Sequence, residues 1–143
     1  MKHEPCDLFR VIPPEEINRV FSGTAAAELD YTFLAFEEVY KSVLSFVPKD
    51  KIIVDLGCAY APQAFYFKDY FAYIGIDIQI PEPHFETPNM KLFQLSIQDF
   101  CSMVAQANWD LDNYFAICSY VPDEEARKMV RETFPNCLVY YPS

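Results

Sequence analysis

Basic residues are scarce in this sequence of 143 residues, which has 11 Lys and Arg against 21 Asp and Glu and a formal net charge of −10. Binding to nucleic acid ordinarily needs a basic face that neutralises phosphates and releases counterions. The one short basic run, Arg127, Lys128 and Arg131, falls in a predicted helix and suits a solvated face. We therefore do not expect nucleic acid to be a partner.

The sequence also lacks metal-binding, membrane-spanning and secretion patterns. Its five cysteines include no C-x-x-C pair, and it has only two histidines, so we predict no metal site. An odd number of unpaired cysteines suits a reducing compartment, and we expect a cytoplasmic protein with buried free thiols. No stretch has the apolar length of a membrane span, and residues 1–14 lack the apolar core of a signal peptide.

Apolar and aromatic residues are abundant: 52% of the residues are hydrophobic, and they include ten Tyr and thirteen Phe. Such a composition predicts a packed core, and the length suits one domain. We expect a single domain over residues 1–143, with an N-terminal helical segment over 1–48 and an α/β core over 49–143.

Helical and strand patterns alternate along the core. This alternation predicts a mainly parallel sheet of about five strands with helices on both faces. In such sheets, ligands bind at the carboxyl ends of the strands. The predicted helices cover residues 13–22, 29–47, 62–71, 97–107 and 122–134, and the predicted strands cover 51–56, 72–78, 90–95, 114–120 and 137–141.

Two landmarks at the carboxyl ends of the first two strands carry most of the functional information. Residues 54–62, VDLGCAYAP, read as a strand, a tight turn at Gly57 and a helix start at Pro62. About twenty residues on, Asp77 ends the next strand, where an acid is placed to accept hydrogen bonds from ribose hydroxyls. Together they resemble the first two motifs of class I S-adenosylmethionine-dependent methyltransferases, and the resemblance covers residues 51–143.

The resemblance implies a three-layer Rossmann-like methyltransferase fold with strand order 3-2-1-4-5 and N-terminal helices. Because the sequence ends at the fifth strand, we expect it to lack the family's C-terminal β-hairpin. The resemblance also implies that the cofactor is S-adenosylmethionine, with Asp55 ordering the turn and Ile78 packing on adenine. The implied cofactor-binding residues are Asp55, Gly57, Cys58, Ala59, Tyr60, Asp77, Ile78, Ser96, Ile97 and Ser119.

The sequence departs from the family's usual D-x-G-x-G-x-G turn, because Ala59 and Ala61 replace two of the glycines. Leu95 and Ser96 also stand where the family often has Gly-Asp. A dinucleotide cofactor needs a glycine in this turn so that the backbone can approach its pyrophosphate. The turn lacks that glycine, so S-adenosylmethionine is favoured over NAD. A phosphate-binding P-loop is excluded because no G-K-[ST] ending is present.

Two functions stay open. The first is methyl transfer to an unknown small-molecule or protein acceptor, with Tyr120 contacting the acceptor or Asp123 acting as a base. The second is a non-catalytic Rossmann-like binding or protein-interaction module descended from a methyltransferase, with homodimerisation through an unpaired fifth strand. Several candidates also have purely structural interpretations: Ser96 and Asp123 as helix caps, Tyr60 as a packing residue. Asp30 and Tyr31 are predicted to lie near the mouth of the pocket.

Overall fold

A single sheet of five parallel strands forms the centre of the molecule, in the order β3-β2-β1-β4-β5. The structure is a computed structural model that describes residues 11–21 and 38–142. The sheet confirms the predicted Rossmann-like α/β fold and its strand order. The strands are β1 (Ile52–Leu56), β2 (Ala72–Asp77), β3 (Met90–Gln94), β4 (Tyr114–Ser119) and β5 (Cys137–Tyr140).

The helices of the described residues are α1 (Pro14–Val20), α2 (residues 38–44), α3 (Ile97–Ala107) and α4 (Glu124–Thr133). The first half of the helix predicted over 29–47 lies outside the described residues, as do Cys6, Asp30 and Tyr31. None of the helices in 11–21 and 38–142 combines the length and the apolar character needed to cross a membrane.

The helix predicted over residues 62–71 is confirmed only in its first part, where Pro62–Phe67 forms a short 3-10 helix and not a full α-helix. The carbonyls of Phe67 and Tyr70, which could accept bonds in a longer helix, accept from the side-chain amide of Asn89 at 2.9 and 3.0 Å. The amide of Tyr70 bonds three residues back, to Phe67, at 3.0 Å. These bonds lie at the end of the 3-10 helix and take up carbonyls that an α-helix extended to residue 71 would use.

Two hydrophobic cores cover the two faces of the sheet. Side chains alternate along each strand, so Ile53 of β1 faces one core while Val54 and Leu56 face the other. The first core joins the sheet to α2 and to the 3-10 helix, with Val43 and Phe67 fully buried. The second joins it to α3 and α4. This two-sided covering leaves the carboxyl edge of the sheet free for a cavity.

A third, smaller cluster fixes α1 to the proline-rich segment between β2 and β3. Phe85 of that segment is fully buried beside Val20 of α1 and Phe65 of the 3-10 helix. Arg19 donates to the carbonyl of His84 at 2.7 Å and pairs with Glu16, also at 2.7 Å. The segment has no regular structure, as its prolines predict, yet its aromatic anchor holds it against the N-terminal helix.

Candidate functional site

A cavity of about 450 Å³ opens at the carboxyl edge of the sheet. Gly57 follows β1 there, Asp77 ends β2 and Ser119 ends β4, so the two landmarks of the sequence lie at one site. The first turns of α3 and α4 form the opposite wall. The lining residues are Gly57, Asp77, Ile78, Leu95, Ser96, Ile97, Gln98, Ser119, Tyr120, Val121, Pro122, Asp123 and Ala126.

The turn after β1 keeps left-handed backbone at three positions, although only the first is glycine. Gly57 has φ 95°, Ala59 has φ 47° and Ala61 has φ 60°. Such φ values cost an alanine about 1–2 kcal/mol each. The amides of Gly57 and Cys58 donate to the carbonyl of Ile76 at 2.7 and 3.1 Å, which joins the turn to β2. The alanines therefore hold the shape that glycines would adopt more easily.

Asp77 links the two landmarks directly. Its Oδ2 accepts a hydrogen bond from the amide of Ala59 at 2.8 Å, and its Oδ1 lies 3.4 Å from the amide of Gln79. The carboxylate thus orders the glycine turn while it lines the cavity. A carboxylate has about four lone-pair sites, so capacity for a ligand hydroxyl is left.

Ser119 lines the cavity at the end of β4, but its hydroxyl is buried. The residue is 7% exposed, and its Oγ has no hydrogen-bond partner among the described residues. An unsatisfied buried hydroxyl costs about 1–3 kcal/mol.

Ser96 and Asp123 cap the two helices whose first turns face the cavity. Ser96 Oγ accepts from the amide of Asp99 at 3.0 Å, which confirms the helix-cap interpretation. Asp123 Oδ1 accepts from the amide of Glu125 at 3.0 Å, and its Oδ2 accepts from the Gln98 side chain at 2.8 Å. Both side chains are therefore fixed by their caps.

Asp55 lies on the other face of the sheet and does not line the cavity. It is fully buried in the first core, where the hydroxyls of Tyr40 and Tyr73 donate to its two oxygens. Burial raises the pKa of Asp55 to about 6, although the two tyrosine hydrogen bonds oppose the rise. The structure thus gives Asp55 a packing and hydrogen-bonding role beneath the turn.

Cys58, Ala59 and Tyr60 shape the turn without lining the cavity. Cys58 packs under the turn against Gly75, and burial raises the pKa of its thiol well above the usual range, which leaves it unreactive. The Tyr60 ring lies 4.7 Å from the Phe21 ring, measured between centroids. Tyr60 therefore has the packing role that the sequence left as the alternative.

The two catalytic candidates line the cavity, but neither is suited to act as a general base at neutral pH. Burial and the neighbouring Tyr140 raise the pKa of Tyr120, so its hydroxyl stays protonated. The Gln98 hydrogen bond lowers the pKa of Asp123, which makes its carboxylate a weak base. The pKa directions therefore do not favour a role in proton transfer for either residue.

Carboxylates are the only charged groups that line the described cavity. Asp77 and Asp123 both face it, and no lysine or arginine does. A polyphosphate would meet two negative charges there without a cation to bind it. The cavity suits a neutral or positively charged ligand.

Five of the lining residues are not among the individual site residues predicted from the sequence. They are Leu95, Gln98, Val121, Pro122 and Ala126. Each lies in the loop after a strand or in the first turn of the following helix. Their position relative to the predicted strand ends is a signal that could have identified them.

Comparisons of this chain with protein-family models, with curated proteins and with solved structures found no match.

Proposed function

We propose that this protein binds S-adenosylmethionine in the cavity at the carboxyl edge of its sheet. The observation that carries the proposal is the convergence of the turn at Gly57 and the carboxylate of Asp77 on one cavity of about 450 Å³, which Ser119 at the end of β4 also lines. That volume lies within the range of about 300–1,000 Å³ found for small-ligand sites.

The lining residues fit the parts of this ligand. Asp77 is available to accept hydrogen bonds from ribose hydroxyls, and the apolar side chains of Ile78, Leu95 and Ile97 offer a surface for the adenine ring. Ile78 is 73% exposed, so a ring that covers it would remove apolar area from water. The carboxylates of Asp77 and Asp123 suit a sulfonium cation.

Methyl transfer is the activity we propose for the filled site. When bound, S-adenosylmethionine supplies a methyl group activated by its positive sulfur. The chain's own contribution is to orient the acceptor, because Ser119 and Tyr120 line the cavity at the end of β4 and restrict how an acceptor can approach. Since neither Tyr120 nor Asp123 is a suitable base, we expect an acceptor that needs no proton removed by the protein.

The second candidate function is a binding module without turnover. The pKa directions of Tyr120 and Asp123 favour it, because they make both catalytic candidates poor general bases. The two functions differ in one measurable outcome. A methyltransferase converts S-adenosylmethionine to its demethylated product when a suitable acceptor is present, whereas a binding module retains it unchanged.

Calorimetric titration with S-adenosylmethionine and with its demethylated product tests the binding proposal. We expect binding at submillimolar concentration and a rise in melting temperature, because a ligand specific to the folded state stabilises it. Failure of both ligands to bind at millimolar concentration would contradict the proposal.

Asp77→Asn and Ser119→Ala test the individual contacts. We expect Asp77→Asn to weaken binding at least tenfold, because loss of a charged hydrogen-bond acceptor costs about 1.5–3 kcal/mol. Ser119→Ala should weaken it less, while removing an unsatisfied hydroxyl from the unliganded protein. Asp69→Asn, an exposed acid before β2 and outside the cavity lining, is the matched control. Unchanged binding in Asp77→Asn would show that the ribose assignment is wrong.

A further inference from the structure

A second cavity, of about 410 Å³, lies on the α2 side of the sheet beside the ends of β4 and β5. Glu38, Val39 and Ser42 of α2 form one wall. Tyr120, Leu138 and Tyr140 form the other. Tyr120 also lines the first cavity, so this one residue separates the two spaces.

The tyrosine wall of the second cavity is held in place by the backbone as well as by the side chains. The amide of Tyr120 donates to the carbonyl of Tyr140 at 2.9 Å, and the ring centroids are 5.3 Å apart. Tyr120 has φ 60°, an unusual value for a bulky residue. Such strained positions persist only where the surrounding structure holds them, and they are enriched at functional sites.

The chemistry of the second cavity selects one class of ligand. Two tyrosine rings and the side chains of Val39 and Leu138 offer an apolar, aromatic surface. Glu38 is the only charged residue in the described lining. The Ser42 hydroxyl is already used, because it donates to the carbonyl of Val39 at 2.6 Å. Aromatic faces beside a carboxylate attract organic cations, and the net charge of −10 adds long-range attraction.

We propose that this cavity is a binding site for an organic cation with an aromatic body, such as an arylalkylamine. Glu38 pairs with the ammonium group, and Tyr120 and Tyr140 contact the ring. This site is separate from the proposed S-adenosylmethionine site, although Tyr120 places its occupant beside that ligand.

Titration with phenethylamine tests the proposal, and 3-phenylpropionate, which carries the opposite charge on a similar body, is the ligand control. We expect phenethylamine to bind in the millimolar range or tighter and 3-phenylpropionate to bind at least tenfold more weakly. Glu38→Gln should weaken phenethylamine binding at least fivefold. Glu132→Gln, an exposed glutamate on α4 outside the cavity lining, should leave binding unchanged.

Three outcomes would overturn the proposal: no binding of phenethylamine at 10 mM, equal binding of the two ligands, or equal binding to wild type and Glu38→Gln. Thermal unfolding of each variant without ligand shows that it is folded. The result is separable from the proposed function, because phenethylamine and S-adenosylmethionine are titrated independently. Amine binding without S-adenosylmethionine binding would contradict only the proposed function, and the reverse would contradict only this inference.

Discussion

At the residue scale, the turn after β1 contains a backbone strain that a single substitution should relieve. Ala59 is exposed and has φ 47°, so its methyl group contributes little packing and opposes the conformation. We expect Ala59→Gly to stabilise the protein by about 1 kcal/mol, which corresponds to roughly 3 °C in melting temperature. Chemical and thermal denaturation measure this difference.

Ala105→Gly is the matched control for Ala59→Gly. Ala105 is also exposed, but it lies within α3, where glycine costs about 1 kcal/mol relative to alanine. The same chemical change should therefore have opposite signs at the two positions. Destabilisation by both would show that the left-handed backbone at residue 59 is not strained.

The buried carboxyl of Asp55 should make stability depend on pH. Its pKa in the folded protein is about 6, above the value of about 3.9 in an unfolded chain. The unfolded chain therefore releases this proton first as the pH rises. The stabilising contribution is complete below pH 4 and is lost as the pH rises through 6, and it amounts to about 3 kcal/mol.

Asp55→Asn isolates this contribution, because asparagine stays neutral and still bonds to tyrosine hydroxyls. We expect the free energy of unfolding of wild type, minus that of Asp55→Asn, to fall between pH 4 and pH 7. Urea denaturation across this range measures it. Tyr73→Phe removes a hydrogen bond that lowers the pKa of Asp55, so it should move the fall to higher pH. A difference that does not change with pH would contradict the assignment.

At the element scale, Gly75 lets the turn pack closely on β2. A Cβ built at Gly75 would lie 2.5 Å from Cδ2 of Leu92 and 2.8 Å from Sγ of Cys58. We expect Gly75→Ala to destabilise the protein by about 1–3 kcal/mol, as overpacked cores are. Combining it with Cys58→Ala should recover part of the loss. Urea denaturation of the two single variants and the double variant gives the coupling, and strictly additive effects would contradict this packing argument.

The sequence predicts the regular elements well and the short crossover poorly. The β-branched run of β1 and the helical spacing of α3 are local signals, and α3 lies within the residues predicted for it. The 3-10 helix that begins at Pro62 ends at Phe67, whose carbonyl accepts from the side chain of Asn89, more than twenty residues away in the sequence. The hydrogen bonds of Asn89 to Phe67 and Tyr70 are a tertiary effect that no local pattern contains.

At the scale of the whole molecule, the sheet order brings the predicted site residues together or separates them. Gly57, Asp77 and Ser119 follow adjacent parallel strands, so the fold class alone places them at one edge. Asp55 is two residues before Gly57, yet it faces the other core, next to Tyr40 and Tyr73. The two tyrosines that bond to Asp55 lie on α2 and β2, outside the motif. The motif alone therefore could not show that Asp55 bonds to these tyrosines and not to a ligand.

Charge is also a property of the whole molecule, and it should discriminate between the two adenosyl ligands. S-adenosylmethionine carries one more positive charge than its demethylated product. Asp77 and Asp123 line the cavity, and the chain has a formal net charge of −10. We therefore expect the methylated ligand to bind more tightly at low salt, and this preference to shrink as salt rises. The Debye length falls from about 10 Å at 0.1 M to about 3 Å at 1 M.

Calorimetry with both ligands at 0.05 M and 0.5 M salt measures this preference as a ratio of dissociation constants. Asp123→Asn removes a carboxylate from the cavity wall while its side chain still accepts from the amide of Glu125, so it should lower the ratio at low salt. Asp69→Asn changes the net charge by the same amount away from the lining and should leave the ratio nearly unchanged. A ratio that is independent of salt and equal in both variants would mean that the sulfonium charge does not affect binding. The shape and hydrogen bonds of the cavity alone would then select the ligand.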